Sequence, residues 1–157
     1  MDAPITLRTA KLEDAERLHE VHISAVRALC SSHYSAEIIE GWLLNRKPEG
    51  FFEPIRRAAI FVAESEGDVV GFGEVAPGAV VAVYVEPSMA RRGIGRRILE
   101  HALVLARGSS PEPVIVESTM NASEFYGRHG FREVSRSTVK RNHVNVPVIV
   151  MRHDAAA

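Results

Sequence analysis

Residues 80–85 are apolar at every position except Tyr84 and rich in β-branched side chains, the pattern of a buried strand. Pro87 removes a backbone donor and ends it. From Ile94 the spacing changes: Ile94, Ile98, Leu99, Ala102, Leu103, Leu105 and Ala106 recur with a helical period. A strand, a tight turn and a helix reaching Gly108 follow from that change of period. The same two periods divide the rest of the chain. Residues 5–8 alternate as a first strand, and residues 11–30 form an amphipathic helix with Leu18, Val21, His22, Ala25 and Val26 on its apolar side. Ser35 caps a second helix through Leu44, and Pro48 opens a further piece ending near Arg57. Residues 59–64 and 69–75 are strands joined at Glu66-Gly67-Asp68. A buried strand at 114–116 precedes a short helix at 122–128 closed by Gly130. Strands at 131–140 and 146–152 turn at Arg141-Asn142-His143, and residues 155–157 form a frayed tail. The order β-α-α-β-β-β-α-β-α-β-β is that of a mixed α+β domain.

Composition narrows the function without naming it. The 157 residues suit one domain, spanning 1–157, with 46% hydrophobic and 25% charged positions, as in an ordinary globular protein. A net charge of −1 argues against a general affinity for polyanions, so no nucleic-acid partner is expected. The single cysteine, Cys30, leaves no internal disulfide and suits a reducing compartment. No apolar run reaches membrane-spanning length, and Met1-Asp2-Ala3-Pro4 lacks the basic start of a signal peptide; a cytoplasmic protein with no membrane partner is expected. His19 and His22 have a spacing that could bind metal, but no third ligand is evident and no metal is expected.

Against that neutral background the arginines at 91, 92, 96 and 97 are a local feature. They surround a turn containing Gly93 and Gly95, where the backbone can approach a ligand closely. The first amides of the helix lack intrahelical acceptors and sit at the positive end of its dipole, which suits an anion such as phosphate. A Rossmann fingerprint would need a glycine where Ile98 stands, and a P-loop would need Gly-Lys-Ser/Thr in place of Arg96-Arg97. The plainer alternative is an amphipathic helix with a solvated basic start.

Pro87-x-x-Ala-Arg-Arg-Gly-Ile-Gly95 resembles the acetyl-CoA signature of the GCN5-related N-acetyltransferases (GNAT), Gln/Arg-x-x-Gly-x-Gly/Ala. Its Gln/Arg position is occupied here by Ala90, with arginines at 91 and 92. The family's second signature, Asn-x-x-x-x-Phe-Tyr-x-x-x-Gly-Phe, resembles Asn121, Phe125, Tyr126, Gly130 and Phe131, with three residues here between Asn121 and Phe125, and the two signatures follow each other in the family's order and usual spacing. The resemblance covers nearly the whole chain and is loosest before Phe51. It implies a GNAT fold: a mixed central sheet splayed at a cofactor cleft beside the strand ending at Val85, with helices on both faces. It also implies acetyl-CoA as co-substrate, with its pyrophosphate on Arg91, Arg92, Gly93, Ile94, Gly95 and Arg96. The pantetheine arm would run along Val83, Tyr84 and Val85, and the acceptor would be a small-molecule or peptide amine; a homodimer is left open.

For the chemistry, acetyl transfer needs a neutral amine, a donor for the developing oxyanion and a proton for the departing thiolate. The Val85 amide is the expected donor. Tyr126 is expected at the cofactor, either as the general acid toward the CoA sulfur or as a residue packing against the cofactor. Asn121 either hydrogen-bonds the pantetheine or caps the short helix. Glu74 and Glu117 are the candidate bases, each with the alternative of a solvated or ion-paired strand-end carboxylate. His33, Tyr34 and Trp42 line an acceptor pocket or pack two helices onto the sheet. A non-catalytic acyl-CoA-binding module is the alternative to an enzyme.

Overall fold

A computed structural model describes residues 3–154. The elements are β1 (Ile5–Thr9), α1 (Ala15–Cys30), α2 (Ala36–Leu43), α3 (Phe52–Arg56), β2 (Ile60–Ser65), β3 (Asp68–Ala76), β4 (Ala79–Val85), α4 (Ile94–Arg107), β5 (Val114–Thr119), α5 (Ser123–Arg128), β6 (Arg132–Arg141) and β7 (Val144–His153). The strands form one sheet in the order β1-β2-β3-β4-β5-β7-β6. Every neighbouring pair is antiparallel except β4 and β5. The α+β class and the splayed mixed sheet are therefore both present. The expected tail at 155–157 and the first two residues of the chain lie outside the described residues.

Two local details differ from the periodicity. The first long helix begins at Ala15, because Leu12–Asp14 is a separate 3-10 turn. Asp14 explains the break: its buried carboxylate accepts the Lys11 amide at 2.7 Å and both terminal nitrogens of Arg8 at 2.8 and 2.9 Å. The piece opened by Pro48 is a 3-10 turn, Pro48–Phe51, running directly into α3, which adds a helix to the expected order.

The two faces of the sheet carry different cores. On one, Ile94, Ile98, Leu99, Ala102 and Ala106 of α4 pack with Phe61, Val80 and Val116, and Tyr126 and Phe131 extend this cluster under α5. On the other, Leu18 and Val21 of α1 meet Ile60, Val62 and Phe72, while Cys30, Tyr34, Ile39 and Trp42 join Val146 of β7. Glycines let α4 lie close to β3. A Cβ on Gly71 would come within 2.9 Å of Ile98 Cδ1 and of the Tyr84 carbonyl, and one on Gly73 within 2.6 Å of the Phe61 ring. Ile98 is wholly buried at that contact. Truncating it to alanine would cost about 2–5 kcal/mol.

The opening in the sheet has a definite cause. Glu74 pairs with Ala82 and Val75 with Val80, so Val81 is an extra residue in β4. Such a bulge bends and twists its strand. β4 and β5 accordingly pair only at Ala79 with Ile115 and Val80 with Val116, and then diverge.

Candidate active site

The divergence leaves one edge of β4 without a ladder partner beyond Val80. The Glu86 amide donates to the Val70 carbonyl, so Glu86, Tyr84 and Ala82 direct their backbone groups at β3. By the alternation of an antiparallel pair, Val83 and Val85 direct theirs into the gap. Their side chains pack toward α4, whereas Tyr84 faces α1 and α2. The backbone groups of Val83 and Val85 that face the gap thus have no ladder partner, and the Tyr84 side chain belongs to the opposite side of the sheet.

At the mouth of the gap stands the start of α4. Arg91 and Gly93 both have left-handed backbones, with φ of 64° and 80°. A bulky residue there is strained, and such strain concentrates at functional turns. Gly93 is the N-cap, contributes no side-chain cap, and its carbonyl accepts the Arg97 amide at 3.2 Å. The amides of Ile94, Gly95 and Arg96 therefore precede the first intrahelical hydrogen bond and are available to an anion. Not all the basic residues serve that end: Arg97 donates to the Ile5 carbonyl at 2.6 Å and Arg96 pairs with Glu100 at 2.9 Å. Gly95 sits beside Phe125, whose ring would lie 3.4 Å from an added Cβ.

Across the gap, β5 ends in the 3-10 turn Met120–Ala122 that leads into α5. The Oδ1 of Asn121 is buried there without a hydrogen-bond partner. Native buried acceptors are rarely left unpaired, so this atom can accept from a water or from a ligand N–H. Asn121 does not cap the short helix through its side chain. Tyr126 is buried, its ring against Phe125 at 5.3 Å and Phe131 at 5.4 Å. Burial raises its pKa, with the Tyr84 charge adding to the effect, so the phenol holds its proton.

A cavity of about 140 Å³ opens on the α1–α2 side of the same divergence. Glu74 and Tyr84 come to it from the sheet on one flank and Glu117 from β5 on the other. Trp42, Phe51 and His22 cover it from the helical layer. A more open depression of about 620 Å³ adjoins it, sharing Arg46, Phe51 and Glu74. The Glu74 carboxyl lies above the usual range because burial disfavours its charge, an effect that Arg57 and Arg46 partly offset. Glu117 is exposed on its strand.

Of the residues expected at an acceptor pocket, Trp42 lines this cavity, while His33 and Tyr34 do not. His33 is exposed beside Ser32. The Tyr34 hydroxyl is engaged by backbone, donating to the Pro147 carbonyl and accepting the Met120 amide. Three residues of the site were not singled out for it by sequence reasoning. His22 is buried at 6% exposure with Nδ1 unpartnered, its ring edge-on to Tyr84 at 4.9 Å. Burial, helped by the charges of Arg46, His19 and Arg141, pushes its pKa down to about 3, so the imidazole is neutral. A histidine on the apolar stripe of a helix was the available signal. Arg46 and Arg141, also in the cavity wall, lie in loop and strand-end sequence where arginines are ordinarily solvated.

Comparison with known proteins identifies the family and the fold. The model of the "Acetyltransferase (GNAT) domain" family matches residues 30–152. The chain is 30% identical over 139 residues to the peptidyl-lysine N-acetyltransferase YjaB of Salmonella typhimurium, covering 86% of this chain and 88% of the relative. Among solved structures, a GCN5-related N-acetyltransferase from Rhodopseudomonas palustris superposes with a TM-score of 0.83 at 22% identity, covering 98% of both chains. The PaiA N-acetyltransferase of Thermoplasma acidophilum, solved with coenzyme A, superposes at 0.76 with 19% identity, over 96% of this chain and 99% of its own. With a family match across most of its length and a relative that is 30% identical over nearly the whole chain, the chain belongs to the GNAT family and is an acetyl-CoA-dependent N-acetyltransferase.

Proposed function

We propose that acetyl-CoA lies along the free edge of β4 while a primary amine enters the cavity under α1 and α2 and attacks the thioester directly. The unpartnered Oδ1 of Asn121 carries this reading, because it stands across the gap from the free backbone groups of Val83 and Val85. Bound acetyl-CoA supplies the activated acyl group. The α4 turn, with the amides of Ile94, Gly95 and Arg96, holds the pyrophosphate, and Arg91 and Arg92 add positive charge. Asn121 Oδ1 accepts from an amide of the pantetheine arm. The Val85 N–H stabilises negative charge developing on the carbonyl oxygen. Glu74 takes the proton of the attacking nitrogen, directly or through water, with Glu117 as the other candidate. The new C–N bond replaces the C–S bond, and the thiolate takes its proton from the Tyr126 hydroxyl.

The relatives named as peptidyl-lysine acetyltransferases make a primary amine on an alkyl chain a natural first acceptor to assay. The test combines CoA-thiol release with mass detection of an N-acetylated product across a panel of amines. Product formed in proportion to thiol supports transfer. Tight acetyl-CoA binding with no acetylated amine would leave only a binding module.

A further inference from the structure

The walls of the acceptor cavity have opposite charge. Glu74 and Glu117 enter from the strands on either side of the divergence. Arg46 and Arg141 enter from the loop after α2 and from the end of β6. These two segments are clamped into one rim by Asn142, whose Nδ2 donates to the carbonyls of Gly41 at 3.0 Å, Trp42 at 3.0 Å and Leu44 at 2.8 Å. A φ of 55° at Asn142 forms the tight hairpin that aims this amide at the end of α2. Arg46 is further tethered by its Nε, which donates to the Trp42 carbonyl at 3.3 Å.

Neither guanidinium has a carboxylate within ion-pair distance among the described residues. In contrast, Arg8, Arg17, Arg27, Arg57, Arg96 and Arg152 each pair with an acid. Arg46 shares both depressions with Glu74 without forming an ion pair with it. Among the described residues Arg46 and Arg141 each make a single hydrogen bond, to a backbone carbonyl, which leaves most donors of each fork unused. The neutral imidazole of His22, buried and unpartnered at Nδ1, lines the same cavity. The cavity thus offers acceptors from the strands on either side of the divergence and two guanidinium forks from the segments joined by Asn142.

Resting on the acceptor site argued above, we infer that the amine substrate carries a carboxylate: a compact amino acid whose amino group faces Glu74 and Glu117 and whose carboxylate is held by Arg46 and Arg141. Guanidinium forks match a carboxylate in two-point geometry, and like charge at each end disfavours the reversed orientation. Simple alkylamines and diamines leave the arginines without a partner, and a lysine inside a peptide offers no free carboxylate at the required end.

The test uses amines in matched pairs with the intact enzyme and saturating acetyl-CoA: lysine against 1,5-diaminopentane, β-alanine against ethylamine, and phosphoethanolamine against ethanolamine. The acidic member of the carboxylate pairs should have a kcat/KM about 10-fold or more above its partner. A larger advantage in the phosphate pair would assign the rim to phosphate and overturn the carboxylate inference. Arg46→Gln and Arg141→Gln should each raise KM for the acidic amine about 10-fold or more and leave the acetyl-CoA KM unchanged. Equal or better turnover of the neutral amines, or of a terminally blocked lysine peptide, would overturn the inference with wild-type protein alone, whatever the variants do. Absence of transfer to every amine, with acetyl-CoA bound, would instead fail the acetyltransferase reading of the site.

Discussion

The Tyr34 hydroxyl and the Met120 amide are 2.9 Å apart, joining the loop after α1 to the turn that presents Asn121. The same hydroxyl donates to the Pro147 carbonyl on β7, so one buried side chain ties three segments together. Tyr34→Phe would leave a buried amide and a buried carbonyl short of a partner, costing about 1–3 kcal/mol in denaturant unfolding. Acetyl-CoA affinity should fall as well, through the loosened Asn121 turn. His33→Ala, at an exposed neighbour, should change neither quantity; an unaltered Tyr34→Phe protein would remove the latch.

Gly93 tests the phosphate turn. No atom lies within 4 Å of an added Cβ, so the cost of Gly93→Asp is confined to its φ of 80°, about 1 kcal/mol. A carboxylate at a helix start favours the helix dipole and recovers part of that cost. The folded variant therefore survives, but its charge meets the incoming pyrophosphate. Calorimetry should show CoA binding weakened about 10-fold or more. Wild-type affinity in the variant would place the pyrophosphate elsewhere.

Glu74 gives the pH dependence. Its active form as a base is the carboxylate, and burial raises its pKa, so the acid limb of kcat/KM should fall at a higher pH than an ordinary glutamate would give. Glu74→Gln should remove that limb and lower kcat/KM by about 10²-fold. The stability effect has the opposite sign. A carboxyl whose folded pKa is raised loses stability as pH climbs from its unfolded value through its folded one. At pH 7 Glu74→Gln should therefore be at least as stable as the parent. A persisting acid limb would transfer the role to Glu117 or to water.

How much of this was legible beforehand depends on whether a feature is local. The change of period at Ile94 and the glycines on either side of it located α4 and its N-terminal turn, since both are written in consecutive residues. The Val81 bulge was not legible: a single extra residue in an apolar run leaves the alternation unreadable, yet it opens the sheet. Tyr34 and Trp42 are eight positions apart, and sequence alone could not show that one hydroxyl would be consumed by Met120 and Pro147 while the other ring reached the cavity. Arg141 and Arg46 meet only because Asn142 caps a helix about 100 residues away in sequence, a long-range contact with no local signature.

Tyr126 is the simplest substitution to interpret. Its ring packs between Phe125 and Phe131, and Tyr126→Phe keeps that packing while deleting the hydroxyl. If the hydroxyl protonates the thiolate, kcat should fall about 10²-fold with acetyl-CoA affinity unchanged. Thermal stability should move little. An unaltered kcat, with chemistry shown to limit turnover, would make Tyr126 a packing residue.

Trp42 combines two roles that one substitution would confound. It is 3% exposed and packs with Cys30, Ile39 and Val146, so Trp42→Ala would cost about 3–5 kcal/mol whatever the acceptor does. Its ring also lies 6.4 Å from His22 and lines the cavity. Trp42→Phe retains an aromatic wall against Tyr34 and reduces the filled volume on the cavity side, leaving room where the acceptor should fit closely. The expected result is an acceptor KM raised several-fold, with an unchanged acetyl-CoA KM and a modest loss of stability. The Val83 and Val85 side chains pack on the α4 face and Trp42 on the other, which is why the two KM values should separate. Should both rise together with the loss of stability, Trp42 serves only to hold α2 on the sheet, and His22 with the two rim arginines defines the acceptor site without it.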